Sequence, residues 1–166
     1  MSCSQHLPTE LLVEQLALRL LAQGAFVATA ESCTGGGIAQ AMTELPGSSR
    51  WFGFGWVTYA NAAKEQLLAV PPAVLEHEGA VSEQTVLAMV KGAQVRSGAR
   101  YAVAVSGVAG PDGGSDEKPV GTVWIAWADG EQHWAEVYVF HGDRRQVRQQ
   151  TVEIALRVLV EHLDGA

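Results

Sequence analysis

A chain of 166 residues suits one domain with a buried core, and 48% hydrophobic against 17% charged residues excludes an extended disordered polymer. A net charge of −7 and the lack of a basic run exclude a nucleic-acid groove as the expected function, although a local arginine cluster can still hold a small anion. No apolar stretch approaches membrane-spanning length, no signal peptide is expected, and the two cysteines, Cys3 and Cys33, give neither a disulfide framework nor a C-x-x-C spacing. The expectation is a cytoplasmic protein with reduced thiols, no membrane partner and no metal or other cofactor.

The first predicted helix opens at Pro8-Thr9-Glu10, with Thr9 as its cap and Val13, Leu16, Ala17, Leu20 and Leu21 facing inward, and Gly24 closes it. The apolar run Ala25–Ala30 reads as a buried strand, and a helix follows from about Ile38 to Glu44. Leu45-Pro46-Gly47-Ser48-Ser49 is a loop, and Phe52–Ala60 is a second strand. Asn61 is placed to cap the helix that carries Lys64; Pro71-Pro72 stops that helix before a short helical piece, Ala73–Glu78. Ser82 opens a helix that runs to about Ser97, and Tyr101–Val105 is a strand buried on both faces. Val120–Ala128 and His133–Phe140 are two more strands, made antiparallel by the hairpin signal Asp129-Gly130, and a last helix runs from about Asp143 to Leu163. The pattern predicts a single α/β domain over 1–166, a three-layer α/β/α sandwich around a mixed, largely parallel sheet of about five strands. Trp51, Trp56 and Trp134 leave room for a homodimer interface, with burial in the core as the more ordinary explanation.

The chemistry concentrates where the first strand turns into its helix, at Glu31-Ser32-Cys33-Thr34-Gly35-Gly36-Gly37. Such a junction lies at the carboxyl edge of a sheet, and a helix start there has unpaired N–H groups. Ser32 is the candidate nucleophile, since Thr34 can cap the helix in its place. Cys33 is the rival, because a thiol at a helix N-terminus has a lowered pKa; the plain alternative is a small buried residue. The serine needs a base. Among His6, His77, His133, His141 and His162, the best placed is His141, at the mouth of the last helix. A desolvated Lys64 can serve instead, although a lone lysine on an amphipathic helix is more commonly a surface residue. The triple glycine resembles a phosphate cradle but lacks the Gly-Lys-Ser/Thr ending of a P-loop. Arg144, Arg145 and Arg148 crowd the start of the last helix, where they suit either a docked phosphate or carboxylate or a solvated basic face.

Six segments, taken together, resemble the CinA C-terminal domain family. They are Ala30–Gly36, Thr58–Lys64, Gly79–Ser82, Ser106–Gly114, Pro119–Val123 and Gly142–Arg144, in the family's order over nearly the whole chain. The resemblance implies an amidase that converts nicotinamide mononucleotide, a small-molecule substrate, to nicotinic acid mononucleotide and ammonia. It implies Ser32 as nucleophile, helped by Lys64 and Tyr59; from the turn itself, backbone N–H groups of Ser32–Gly36 are expected to hold the oxyanion. Expected substrate contacts are Glu31, Thr34, Gly35, Gly36, Ser106, Gly107, Arg144, Arg145 and Arg148. Ser106 stands where threonine is common in the family, and the hydroxyl is kept. Many members carry an added N-terminal domain linked to nucleotide pyrophosphate chemistry; it has no counterpart here, so that activity is not carried over. Two other classes of function stay open at this point: a catalytically silent nucleotide-binding regulatory module, and recruitment to DNA, to which the acidic balance lends nothing.

Overall fold

The computed structural model describes residues 7–165, so Cys3 and His6 lie outside the described residues. The helices are α1 (Thr9–Gln23), α2 (Gly37–Thr43), α3 (Asn61–Leu68), α4 (Pro72–Glu78), α5 (Glu83–Ser97) and α6 (Arg144–Asp164). The strands are β1 (Val27–Glu31), β2 (Phe52–Val57), β3 (Tyr101–Gly107), β4 (Thr122–Asp129) and β5 (Gln132–Val139). They form one sheet in the order β2-β1-β3-β4-β5. β1 runs parallel to both β2 and β3, and β4 and β5 add an antiparallel half. The three parallel strands therefore end on one edge. No helix among the described residues is long and apolar enough to cross a membrane.

Alternation along the strands sorts side chains by size. Val103, Val105, Val123, Ile125 and Trp127 face α1, α2 and α6 in one core cluster. Ala28, Ala30, Ala102, Ala104, Ala126 and Ala128 face the other cluster, built with Leu68 of α3, Leu75 of α4 and the inner side of α5. The period of two makes this separation automatic once the register is set. The Trp127 indole N–H donates to the Ala155 carbonyl at 3.0 Å and ties β4 to α6.

Several helix starts differ from expectation. Thr9 and Asn61 are each the first helical residue, and the cap positions fall to Pro8 and Ala60, neither of which offers a side-chain acceptor. Ser82 does cap α5, accepting from the Thr85 N–H, and Asp143 and Gln146 form a reciprocal capping box at α6. On α1 it is Leu12 that is buried, whereas Leu21 is 36% exposed. β2 stops at Val57, short of Ala60, because Thr58–Ala60 turn off the sheet into α3. Trp51 is 1% exposed and belongs to the core, while Trp56 and Trp134 pack partly buried against it.

α3 crosses α5 at Gly92, where a Cβ would stand 2.0 Å from the Leu68 carbonyl oxygen. A side chain at 92 must push the end of α3 away. Gly92→Ala is expected to destabilise the fold by about 2–3 kcal/mol, measured as a lower urea midpoint at unchanged m-value.

Candidate active site

The backbone of the parallel edge is pinned one step beyond the strands. Ser32 donates its N–H to the Val105 carbonyl at 3.1 Å, and Thr58 donates to the Glu31 carbonyl at 2.8 Å. These two bonds set the start of the Ser32 turn between its neighbours and the start of the Lys64 helix beside it. Lys64 is 1% exposed, the largest buried charged side chain of the protein as described. Its Nζ lies 3.1 Å from Ser32 Oγ, 2.8 Å from the Thr58 carbonyl and 3.2 Å from the Tyr59 carbonyl. No carboxylate pairs with it among the described residues. Burial therefore dominates and holds its ammonium below the ordinary value of 10.5.

Around this pair lies a cavity of about 290 Å³. Ser32, Cys33, Tyr59, Lys64, Ser106, Gly107 and Arg144 line it, with Ala80, Val81 and the loop residues Val108–Gly110, Asp112 and Gly113. The Ser106 hydroxyl, on a residue 1% exposed, makes no hydrogen bond among the described residues. The Tyr59 side chain is 60% exposed, and its hydroxyl accepts from Arg144 Nη2 at 2.9 Å. Arg144 Nη1 donates to the Gly110 carbonyl at 2.8 Å. Tyr59 thus touches the lysine through its main chain, while its phenol closes a clasp between α6 and the loop after β3.

The Ser32 turn itself departs from a simple capped helix. The Glu31 carboxylate, 1% exposed, accepts from the Ile38 N–H at 2.8 Å, the Ala39 N–H at 3.0 Å and the Thr34 hydroxyl at 2.5 Å. A buried carboxylate at the positive end of a helix is held there by charge-assisted bonds. Glu31, not Thr34, therefore caps α2 and leaves the Ser32 hydroxyl to Lys64. Gly35 and Gly36 have left-handed φ of 60° and 101°, which lets the chain reverse tightly. A Cβ at Gly37 would meet Val152 Cγ2 at 3.1 Å, so that glycine serves close packing of α2 on α6. The triple glycine is a turn and a packing device, and none of the three lines the Ser32 cavity.

A model of the CinA C-terminal domain matches residues 9–163. The chain belongs to the CinA C-terminal domain family. It is similar to the nicotinamide-nucleotide amidohydrolase PncC of Pseudomonas putida, 57% identical over 154 residues, an alignment that covers 93% of this chain and 96% of that protein. The protein of the same name from Escherichia coli (strain K12) is 50% identical over 149 residues, covering 89% and 90%. Among solved structures, that of the competence damage-inducible protein A (ComA) from Klebsiella pneumoniae subsp. pneumoniae MGH 78578 superposes with a TM-score of 0.93 at 39% identity, covering 95% of this chain and 98% of that one.

Within this CinA-type domain the residues singled out from sequence divide into two groups. Ser32, Tyr59, Lys64, Ser106, Gly107 and Arg144 come together at one cavity. Glu31, Thr34, Gly35 and Gly36 build the turn without lining it. Arg145 and Arg148 line a different cavity, of about 510 Å³, behind the turn with Thr9, Thr34 and Gln40. Arg145 and Arg148, three residues apart, are neighbours on the surface of α6 and share that cavity, whereas Arg144 reaches the loop after β3 through the Gly110 carbonyl. His141 is exposed, in a groove with Gln146 and Gln150, and does not line the Ser32 cavity. Asp112 and the Ala80-Val81 wall lie within segments that carried the family resemblance but were given no individual role, because nothing local shows which loop positions face inward.

Cys33 also lines the cavity, yet the helix N-terminus does not acidify it. The residue is 5% exposed, and burial pushes its thiol up to about 12. A thiol in that state is a weak nucleophile. At pH 8, iodoacetamide is expected to label Cys33 in the native protein many times more slowly than in urea, read by peptide mass mapping; equal rates in the two states would restore it as a reactive thiol.

Proposed function

We propose that the protein is a nicotinamide-nucleotide amidohydrolase, releasing ammonia from nicotinamide mononucleotide, with Ser32 as nucleophile and Lys64 as its base. The observation that carries the mechanism is the surroundings of Lys64 Nζ: one hydroxyl and two carbonyl oxygens within 3.2 Å. A neutral amine has two hydrogens and one lone pair. The hydrogens serve the Thr58 and Tyr59 carbonyls, and the lone pair is left for the Ser32 hydroxyl proton. Loss of solvation favours that neutral form, so the base is made by burial.

In this mechanism Ser32 Oγ attacks the carboxamide carbon while its proton passes to Lys64. The oxyanion that forms is met by backbone N–H groups of the turn. The Ser32 and Gly35 N–H groups are already committed, to Val105 and to the Ser32 carbonyl, which leaves those of Cys33, Thr34 and Gly36. The Lys64 ammonium returns the proton to the leaving nitrogen, and ammonia departs. Water then attacks the acyl-enzyme carbonyl, giving its proton to Lys64, which passes it to the departing Ser32 oxygen as nicotinic acid mononucleotide is released. Arg144 uses two of its donors on Gly110 and Tyr59 and keeps others for the nucleotide phosphate. Ser106 offers a free hydroxyl at the cavity wall.

The test is ammonia release from nicotinamide mononucleotide by wild type, Ser32→Ala, Cys33→Ala and Lys64→Arg. Ser32→Ala is expected to lose about 10⁴-fold or more in kcat, and Lys64→Arg about 10²–10⁴-fold, because a guanidinium stays charged. Cys33→Ala keeps most activity. Loss confined to Cys33→Ala would move the nucleophile by one residue, and wild type that binds the nucleotide without releasing ammonia would leave a binding module. The pH profile is a separate check. The active form of Lys64 is the deprotonated one, so kcat/KM rises with pH and levels off below 10.5, the amine's ordinary value. A profile still climbing above that value would place the base elsewhere.

A further inference from the structure

We propose that Arg148 is a positioning residue that aims the Thr34 N–H as an oxyanion donor beside that of Cys33; this deepens, and rests on, the amidase reading above. Arg148 Nε donates to the Cys33 carbonyl at 3.1 Å and its Nη2 to the Thr34 carbonyl at 3.2 Å. The residue approaches from α6, behind the turn, in the cavity that does not contain Ser32.

The peptide units of the turn are held in different ways. The Ser32 carbonyl is fixed within the chain, by the Gly35 N–H at 3.0 Å, and the Thr34 carbonyl also accepts from the Gly37 N–H at 3.1 Å. The Cys33 carbonyl has Arg148 alone among the described residues. In a trans peptide the C=O and the following N–H point in opposite directions. Holding the Cys33 carbonyl toward Arg148 therefore turns the Thr34 N–H away from Arg148; in this proposal it is that N–H, and not the remainder of Thr34 that lines the cavity behind the turn, which is aimed toward Ser32. The Thr34 N–H meets no acceptor among the described residues, and the Cys33 N–H meets only the sulfur of its own side chain. Successive N–H groups left open on one side of a turn form an anion-binding concavity.

Two further observations fit this placement. A Cβ at Gly35 would stand 3.2 Å from Arg148 Nη2, so glycine at 35 leaves the guanidinium its room against the turn. The guanidinium donates to carbonyls and is paired with no carboxylate among the described residues, so its charge is available to the developing oxyanion. A planar fork suits two adjacent carbonyls; a lysine carries the charge but not the fork.

The experiment is steady-state ammonia release from nicotinamide mononucleotide by wild type, Arg148→Lys and Arg148→Ala, the last with and without added methylguanidinium. Arg148→Lys keeps a cation in place and guards against a variant that merely fails to fold. Both variants are expected to lose kcat by about 10- to 100-fold, less than deletion of an oxyanion donor, with KM within about twofold and the rising limb of the pH profile in place. Methylguanidinium is expected to raise kcat of Arg148→Ala at least fivefold, and methylammonium is not. A raised KM at full kcat would make Arg148 a substrate contact and overturn the proposal. So would a kcat loss that tracks a fallen melting temperature and resists methylguanidinium, which describes a structural brace. Wild type without ammonia release would remove the amidase reading itself; active wild type with unimpaired variants would remove only the role of Arg148.

Discussion

A primary amine shut away from water governs this molecule. Lys64 is buried at the junction of β1, β2 and α3, and among the described residues its nitrogen finds only oxygen atoms that carry no charge. A charged ammonium there has little solvent and no paired carboxylate among the described residues, a costly state that pulls its pKa below the ordinary value. Everything nearby supports that outcome. The turn after β2 brings two carbonyls to one point, the turn after β1 supplies a hydroxyl, and close packing of α3 on α5 at Gly92 keeps the helix where the amine can reach.

The turn beside it shows a division of labour between a buried carboxylate and a half-buried guanidinium. Glu31 takes the helix N–H groups that would otherwise compete for a ligand, and Thr34 joins it. Arg148 takes carbonyls from the opposite side. One short loop thus has its donors and acceptors assigned from two directions, by residues far apart in sequence. What is left for chemistry at the cavity is the Ser32 hydroxyl, held 3.1 Å from Lys64 Nζ. Preorganisation of this kind costs nothing at the moment of reaction, because the dipoles are already in place.

Much of this was legible in the chain. The strand-to-helix junction at Ser32, the buried β3, the hairpin at Asp129-Gly130 and the alternation of helices and strands all rest on local patterns, and the sheet follows from them. Lys64 was only half legible. Ala62, Ala63, Leu67 and Leu68 mark an amphipathic helix, but which side of it the lysine occupies depends on how α3 meets α5 and the sheet. The cap of α2 was not legible at all. Capping motifs are sought within three residues of a helix start, and Glu31 reaches N–H groups seven and eight residues ahead of it because the glycine turn folds the chain back. The three arginines of α6 read as one basic cluster in sequence; a helix surface distributes them to different neighbours.

The alanine face of the sheet sets a limit of another kind. On the valine, isoleucine and tryptophan side, neighbouring residues can exchange methyl groups and still fill the same space, so that side has room to drift. The other side has almost no side-chain volume to trade, since Ala28, Ala30, Ala102, Ala104, Ala126 and Ala128 already stand at the smallest size that still carries a Cβ. Sequence variation in this protein should therefore be lopsided across a single sheet: plastic toward α1, α2 and α6, and nearly frozen toward the helix layer that holds the lysine.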